Sequence, residues 1–118
     1  MNDLELLEAA AKVAGVRYDP AASKPHPTSG PFWGLWLVFD DEPSEYAPRY
    51  WQPLTDDGDA LRLSVKLGLD VSHNSFWNVI ADHHTLPRRK TIVMAHGADP
   101  CKATRRAIVL AAAAMAVG

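Results

Sequence analysis

Three aspartates surround one glycine at residues 56–59, and closely spaced carboxylates are the side chains that bind calcium. An EF-hand loop needs oxygen ligands at alternate positions, a glycine at the sixth position and a glutamate at the twelfth. The sequence DDGDALRLSVKL has neither this spacing nor that glutamate. It fits a helix start better, with Thr55 as the N-cap and Asp56, Asp57 and Asp59 complementing the positive end of the helix dipole. We therefore predict a helix start with no bound metal.

Side chains that could bind a transition metal are spread along the chain: His26, His73, Asp82, His83, His84, His96 and Cys101. The adjacent His83 and His84 would point to opposite sides of a strand, and the sequence has no H-E-x-x-H pair on a helix. Loop histidines therefore explain this set better than a metal site. We predict neither a metal nor another cofactor.

A catalytic nucleophile has only one candidate of note in this sequence, which is Cys101. It lies at the start of a predicted helix beside Lys102, where a thiolate could be favoured, and the alternative is a buried or semi-exposed small hydrophobic residue. The sequence has no G-x-S-x-G motif and no glycine-rich phosphate loop. We predict no catalytic residues and no enzymatic activity.

Basic residues concentrate in the second half of the chain. Residues 61–118 hold 8 bases and 3 acids, whereas residues 1–60 hold 4 bases and 11 acids. We predict that the basic residues meet an acidic partner, with Trp51 and Asp57 as further contacts; the predicted binding residues are Trp51, Asp57, Arg88, Arg89, Lys90, Lys102 and Arg106. A formal net charge of −2 argues against a dedicated DNA-binding protein.

Helical spacing and capping residues predict three helices. Asn2 and Glu5 form a capping box before a helix at Asp3–Ala14, which Gly15 ends. The second helix follows Thr55 and ends at Gly68, with Ala60, Leu61, Leu63, Val65 and Leu67 as its apolar face. Asp99 as N-cap and Pro100 at the first position predict a third helix over Pro100–Val117.

Four segments have the composition of strands. Residues 32–39 are apolar on both faces, as in a strand covered on two sides, and residues 69–72, 76–81 and 91–96 are short candidates that would pair as antiparallel neighbours. The four prolines of residues 19–31 predict a loop outside any regular sheet. We therefore predict an α+β fold of order α-β-α-β-β-β-α, with three helices packed on a four-stranded, mainly antiparallel sheet.

Length and composition bound the class of protein. The 118 residues and 47% hydrophobic content suit one globular domain over residues 1–118. The acidic, alanine-rich start does not resemble a secretory signal, and the apolar run at residues 107–117 is too short to span a bilayer. One cysteine excludes an internal disulfide. We expect a soluble cytoplasmic protein.

Three stretches, LELLEAAAKVAG, WQPLTDDGDALRLSVKLGL and DPCKATRRAIVLAAA, together resemble the phage ABA sandwich domain proteins, which are small accessory proteins of tailed phages and prophages. The chain departs from that pattern at Gln52, where the family usually has asparagine, and at Cys101, where it often has tyrosine. The resemblance implies a layered helix-and-sheet domain encoded by a phage. It supplies no reaction and no ligand.

The function expected from these features is binding without catalysis. The setting of the resembled family favours a phage or prophage accessory protein that binds a host or phage protein in the bacterial cytoplasm and inhibits host defence, alone or as a homo-oligomer. The alternative is a protein that sequesters a nucleotide signal, with the basic loop and the amides of residues 99–101 holding phosphate and a tryptophan holding the base. A small enzyme is the third, least favoured candidate.

Overall fold

The structure is a computed structural model that describes residues 2–24, 34–37, 50–74, 78–83 and 90–117. These residues form, in chain order, α1 (Asp3–Ala14), β1 (Tyr18–Lys24), β2 (Gly34–Leu37), β3 (Tyr50–Trp51), α2 (Asp57–Leu67), β4 (Asp70–Asn74), β5 (Asn78–His83), β6 (Lys90–Ala95) and α3 (Pro100–Val117). The three helices and the antiparallel strands confirm the α+β class.

The ends of α1 and α3 lie where the sequence predicts them. The side-chain oxygen of Asn2 accepts a hydrogen bond from the Glu5 amide at 2.8 Å, and that of Asp99 accepts one from the Lys102 amide at 3.1 Å. Each bond satisfies an amide that has no partner within its own helix. Local capping chemistry therefore sets where these helices begin.

The N-cap of α2 is Asp56, so the prediction of Thr55 was wrong by one residue. The Asp56 carboxylate accepts a hydrogen bond from the Asp59 amide at 2.8 Å. The Thr55 amide instead donates to the carbonyl oxygen of Gln52 at 3.2 Å, which places Thr55 in the preceding turn. A tight turn at residues 52–55 thus delays the start of the helix.

The strands β4, β5 and β6 form an antiparallel sheet in sequence order, as predicted for these three segments. The strand at residues 34–37 does not join them, which departs from the predicted four-stranded sheet. It lies in a second sheet of order β1-β2-β3, where β3 is a two-residue strand that the sequence analysis missed. The described strands therefore form two three-stranded antiparallel sheets.

The strand β1 corrects the prediction that residues 19–31 lie outside any sheet. Tyr18 and Asp19 pair with β2, and pairing resumes at Lys24 after an irregularity. Pro20 lies within this interrupted stretch, and proline is tolerated there because β1 is an edge strand and the missing amide costs no ladder bond. The remaining residues of the segment, 25–31, lie outside the described residues.

The helix α3 is the central element of the core, because it packs against α1, α2, β5 and β6. One of its faces, Ala103, Ala107 and Ala111, lies against Val71, Ile92 and Met94 of the β4-β5-β6 sheet and against Leu69, which precedes β4. Val109, Ala112 and Ala113 belong to the larger cluster that includes Leu6, Leu7 and Ala10 of α1. Small side chains let one helix approach neighbours on two sides.

The predicted burial of residues 32–39 holds for Leu35, which is fully buried, while residues 32–33 and 38–39 lie outside the described residues. Gly34, just before it, has φ +126°, and a Cβ atom there would lie 2.5 Å from the carbonyl oxygen of Trp51. Both the backbone conformation and the approach of β3 therefore require glycine at this position.

We predict that Gly34→Ala lowers the free energy of unfolding by about 3 kcal/mol or more, since it combines an unfavourable φ with a backbone clash. The matched control is Gly97→Ala, where φ is +64° but no atom lies within 4 Å of the new Cβ atom. That variant should lose about 1 kcal/mol from the backbone conformation alone. Urea unfolding followed by circular dichroism measures both, and equal losses would contradict the clash.

Candidate functional site

A cavity of about 370 Å³ lies between α2, α3 and β4, and we call it the α2–α3 groove. Its lining residues are Asp57, Ala60, Leu61 and Ser64 from α2, Cys101, Thr104, Arg105 and Ile108 from α3, and Val71 and His73 from β4. Each helix contributes positions i, i+3, i+4 and i+7, which form one face of a helix. Two helix faces therefore meet across the groove, with β4 completing the wall.

The floor of the groove behaves as an apolar surface, although it includes a serine. Ala60, Ser64 and Ile108 are buried. The Ser64 hydroxyl donates a hydrogen bond to the carbonyl oxygen of Leu61 at 2.8 Å, so its proton is already used within α2. Ala60 and Ile108 both line the groove, whose volume is in the range typical of small ligand pockets.

The rim carries an ion pair between α2 and α3. The Arg105 guanidinium donates from Nη1 to Oδ1 of Asp57 at 2.6 Å and from Nε to the carbonyl oxygen of Leu54 at 2.9 Å. The Arg105 side chain is only 16% exposed, whereas that of Asp57 is 74% exposed. The part of this ion pair that is mainly exposed to solvent is therefore the negatively charged Asp57 carboxylate.

The polar side chains of Thr104 and His73 lie side by side at the groove. The Thr104 hydroxyl donates to the carbonyl oxygen of Pro100 at 2.7 Å, and its oxygen lies 3.0 Å from Nε2 of His73. Because a hydroxyl has one proton, the Thr104 proton that is donated to Pro100 is not free for a ligand in the groove.

The histidine and cysteine side chains do not come together as a metal centre in the part of the chain that the structure describes. The rings of His73 and His96 lie 5.6 Å apart, and Nε2 of His96 is buried without a hydrogen-bond partner among the described residues. No group of three or more metal-binding side chains occurs among the described ones, whereas His26, His84 and the side chains of Asp82 and His83 lie outside what the structure describes. The absence of a metal stays a prediction.

The outer face of α2 differs from the predicted one. Leu61 and Val65, expected to face the core, are 63% and 72% exposed. The buried side of α2 instead carries Asp59, Ala60, Leu63 and Ser64. This rotation brings the Asp59 carboxylate to the buried Gln52 amide in the segment before α2.

Asp59 is only 1% exposed and connects α2 to the segment before it. Its Oδ2 accepts a hydrogen bond from the Gln52 amide at 2.9 Å, and its Oδ1 accepts one from Nη2 of Arg62 at 2.8 Å. The Gln52 side-chain oxygen in turn accepts from the Leu54 amide at 3.0 Å. The aspartate cluster is thus mainly a structural element that positions the α2 side of the groove.

The predicted binding residues that the structure describes do not all lie at the surface. Trp51 is buried in the core, and Asp57 lies at the rim of the groove. Lys102 is exposed on α3, one turn before Arg106, whose Nη1 donates to Oδ1 of Asp3 in α1 at 3.1 Å. Lys90 begins β6, and Arg88 and Arg89 lie outside the described residues. Trp51 therefore acts in packing, which corrects its assignment as a contact residue.

Most residues of the groove, including Leu61, His73 and Arg105, were not predicted from the sequence as binding residues. The matched i, i+3, i+4, i+7 spacing on α2 and α3 was present in the sequence. Nothing in the sequence indicates which faces of the two helices oppose each other. Cys101 is exposed at this groove, so the expectation of a buried or semi-exposed residue underestimated its access to solvent.

A second cavity of about 490 Å³ lies along α1 and β1, lined by Glu5, Glu8, Ala9, Lys12, Val16 and Tyr18. Burial raises the pKa of Tyr18, and the nearby Glu8 carboxylate raises it further. This surface carries charged groups along one helix, and its least exposed lining residues, Ala9, Val16 and Tyr18, are only half-buried. The α2–α3 groove is therefore the better candidate site.

We predict that Asp59→Asn lowers the free energy of unfolding by about 2–4 kcal/mol, because an amide cannot accept hydrogen bonds at both positions and a buried donor loses its partner. The matched control, Asp57→Asn, changes an exposed carboxylate and should cost no more than about 1 kcal/mol. Urea unfolding at neutral pH measures both. Similar losses for the two variants would show that the Asp59 network does not hold α2 in place.

No described helix has the length and hydropathy of a membrane-spanning segment. No protein-family model, curated protein or solved structure matches the chain. The resemblance to the phage ABA sandwich proteins therefore stays a prediction from the sequence.

Proposed function

We propose that this chain is a non-catalytic binding protein whose partner is another protein that covers α2 and the α2–α3 groove. The supporting observation is the exposure of Leu61 and Val65, which are one helical turn apart on α2. Leu61 also lines the groove, so the exposed apolar surface and the cavity are continuous. Apolar surface of this kind beside a pocket is typical of protein interaction sites.

The biological setting of this proposal comes from the sequence resemblance alone. It suggests a phage or prophage accessory protein that acts in the bacterial cytoplasm on a host component and inhibits a defence system. We propose from the same resemblance that the helices and sheets are layered as in an ABA sandwich, which is a finer statement than the α+β class. A fold resemblance does not determine function, so the binding surface is the part that the structure supports.

A nucleotide partner is less well supported by the described residues. The start of α3 was the expected phosphate site, but the Asp99 carboxylate already caps the Lys102 amide there and would repel an anion. The nearby Arg105 donates to Asp57 and to Leu54. These contacts favour a protein partner over a nucleotide.

We predict that the double variant Leu61→Ser with Val65→Ser loses a specific partner that the wild-type chain captures from an extract of phage-infected bacteria. Truncating two central apolar contacts should weaken binding at least tenfold. Quantitative mass spectrometry of the captured proteins, followed by titration with the purified partner, measures the loss.

The matched control is Val93→Ser, which removes a similarly exposed apolar side chain from β6, where Val93 is 59% exposed. It should capture the partner as the wild type does, and both proteins should unfold at nearly the wild-type temperature because the changed side chains are at the surface. Wild-type capture by the α2 double variant would contradict the proposed function.

A further inference from the structure

We infer that the α2–α3 groove receives an aromatic side chain of the partner that is flanked by lysine or arginine. This inference rests on the proposed function, because it names the part of the partner that enters the same site. The basic residues of the sequence suggest an acidic partner. The groove favours a basic segment instead, because the exposed charge at its rim is the Asp57 carboxylate.

The size and chemistry of the groove fit an aromatic anchor. A cavity of about 370 Å³ can hold one large side chain. The protons of Ser64 and Thr104 are both donated to backbone carbonyl oxygens, so the described walls offer few free donors to a polar group. The His73 ring also lines the groove, and a polar ring beside an apolar floor suits an aromatic side chain.

The open charge at the rim is negative. Asp57 and Arg105 are the oppositely charged residues among the described lining, and only the Asp57 carboxylate is largely exposed. Asp56, the preceding residue, lies 3.8 Å from Nη2 of Arg62 and is already paired with that cation. A cation beside the aromatic anchor would complement the exposed Asp57 carboxylate, whereas an acidic neighbour would be repelled.

The continuity of the apolar surface favours a protein segment over a free small molecule. Leu61 forms part of the groove wall, and Val65 extends the same surface one turn further along α2, outside the groove lining. A small ligand in the cavity would leave Val65 in water. A peptide segment with an anchor in the groove can cover both residues.

The test uses three blocked synthetic peptides as probes: Gly-Lys-Trp-Lys-Gly, Gly-Glu-Trp-Glu-Gly and Gly-Lys-Ala-Lys-Gly. Changes in the NMR chemical shifts of backbone amides show where each peptide binds. The rate at which a thiol reagent modifies Cys101 reports whether the groove is occupied, because this exposed residue is the only cysteine in the chain and lines the groove. Both measurements are made on the wild-type protein at low salt, where exposed charges act most strongly.

We predict that the Lys-Trp-Lys peptide gives saturable shifts at Ala60, Ser64 and Ile108 and slows the modification of Cys101. The Glu-Trp-Glu peptide should bind about threefold more weakly or worse, as expected for an exposed charge interaction, and the alanine peptide should give no saturable shifts. Asp57→Asn should reduce the difference between the two tryptophan peptides. Equal binding of these peptides, or shifts confined to another surface, would overturn the inference.

The variant Cys101→Trp separates this inference from the proposed function, because the new side chain would occupy the groove. We expect it to lose partner capture as the Leu61→Ser and Val65→Ser variant does, while unfolding at nearly the wild-type temperature. If the Leu61→Ser and Val65→Ser variant lost partner capture while Cys101→Trp retained it, the aromatic anchor would be overturned and the proposed function would stand. Capture by both variants would overturn both.

Discussion

The buried carboxylate of Asp59 is the interaction on which the candidate site depends. A carboxylate removed from water is costly unless hydrogen bonds and a nearby cation compensate it. The Gln52 amide supplies such a bond from the segment before α2, and the Arg62 guanidinium supplies another from the next turn of α2 itself. Because the Gln52 amide belongs to a different segment, its bond to Asp59 holds the inward side of α2 in place.

The rotation of α2 about its axis determines what its surface offers. With Asp59 and Leu63 on the inner side, Leu61 and Val65 must point outward, although both are apolar. The same rotation places Ala60 and Ser64 against α3 and leaves the groove between them. A structural hydrogen bond therefore produces the exposed apolar surface that supports the proposed function.

Two neighbouring arginines of the central helix α3 contact different elements of the fold. Arg105 and Arg106 differ by about 100° around a helix, so they reach different elements. Arg105 binds Leu54 and Asp57 at the α2 end, while Arg106 binds Asp3 of α1. The alanines of α3 make these contacts feasible because they let α1, α2 and the β4-β5-β6 sheet approach closely. The basic residues near the start of α3 thus contribute to assembly as well as to surface charge.

The sequence by itself determined features that depend on neighbouring residues. Capping by Asn2 and Asp99 and the ending of helices at Gly15 and Gly68 follow from local hydrogen bonds and backbone preferences, so the bounds of α1, the end of α2 and the start of α3 could be predicted. Only the tertiary structure decided that residues 34–37 join a second sheet, that Leu61 and Val65 face outward, and that Trp51 is in the core. Each of these depends on partners distant in the chain or on the turn at residues 52–55. Periodicity reports which residues share a helix face, but the cost of burying Asp59 decides which face turns inward.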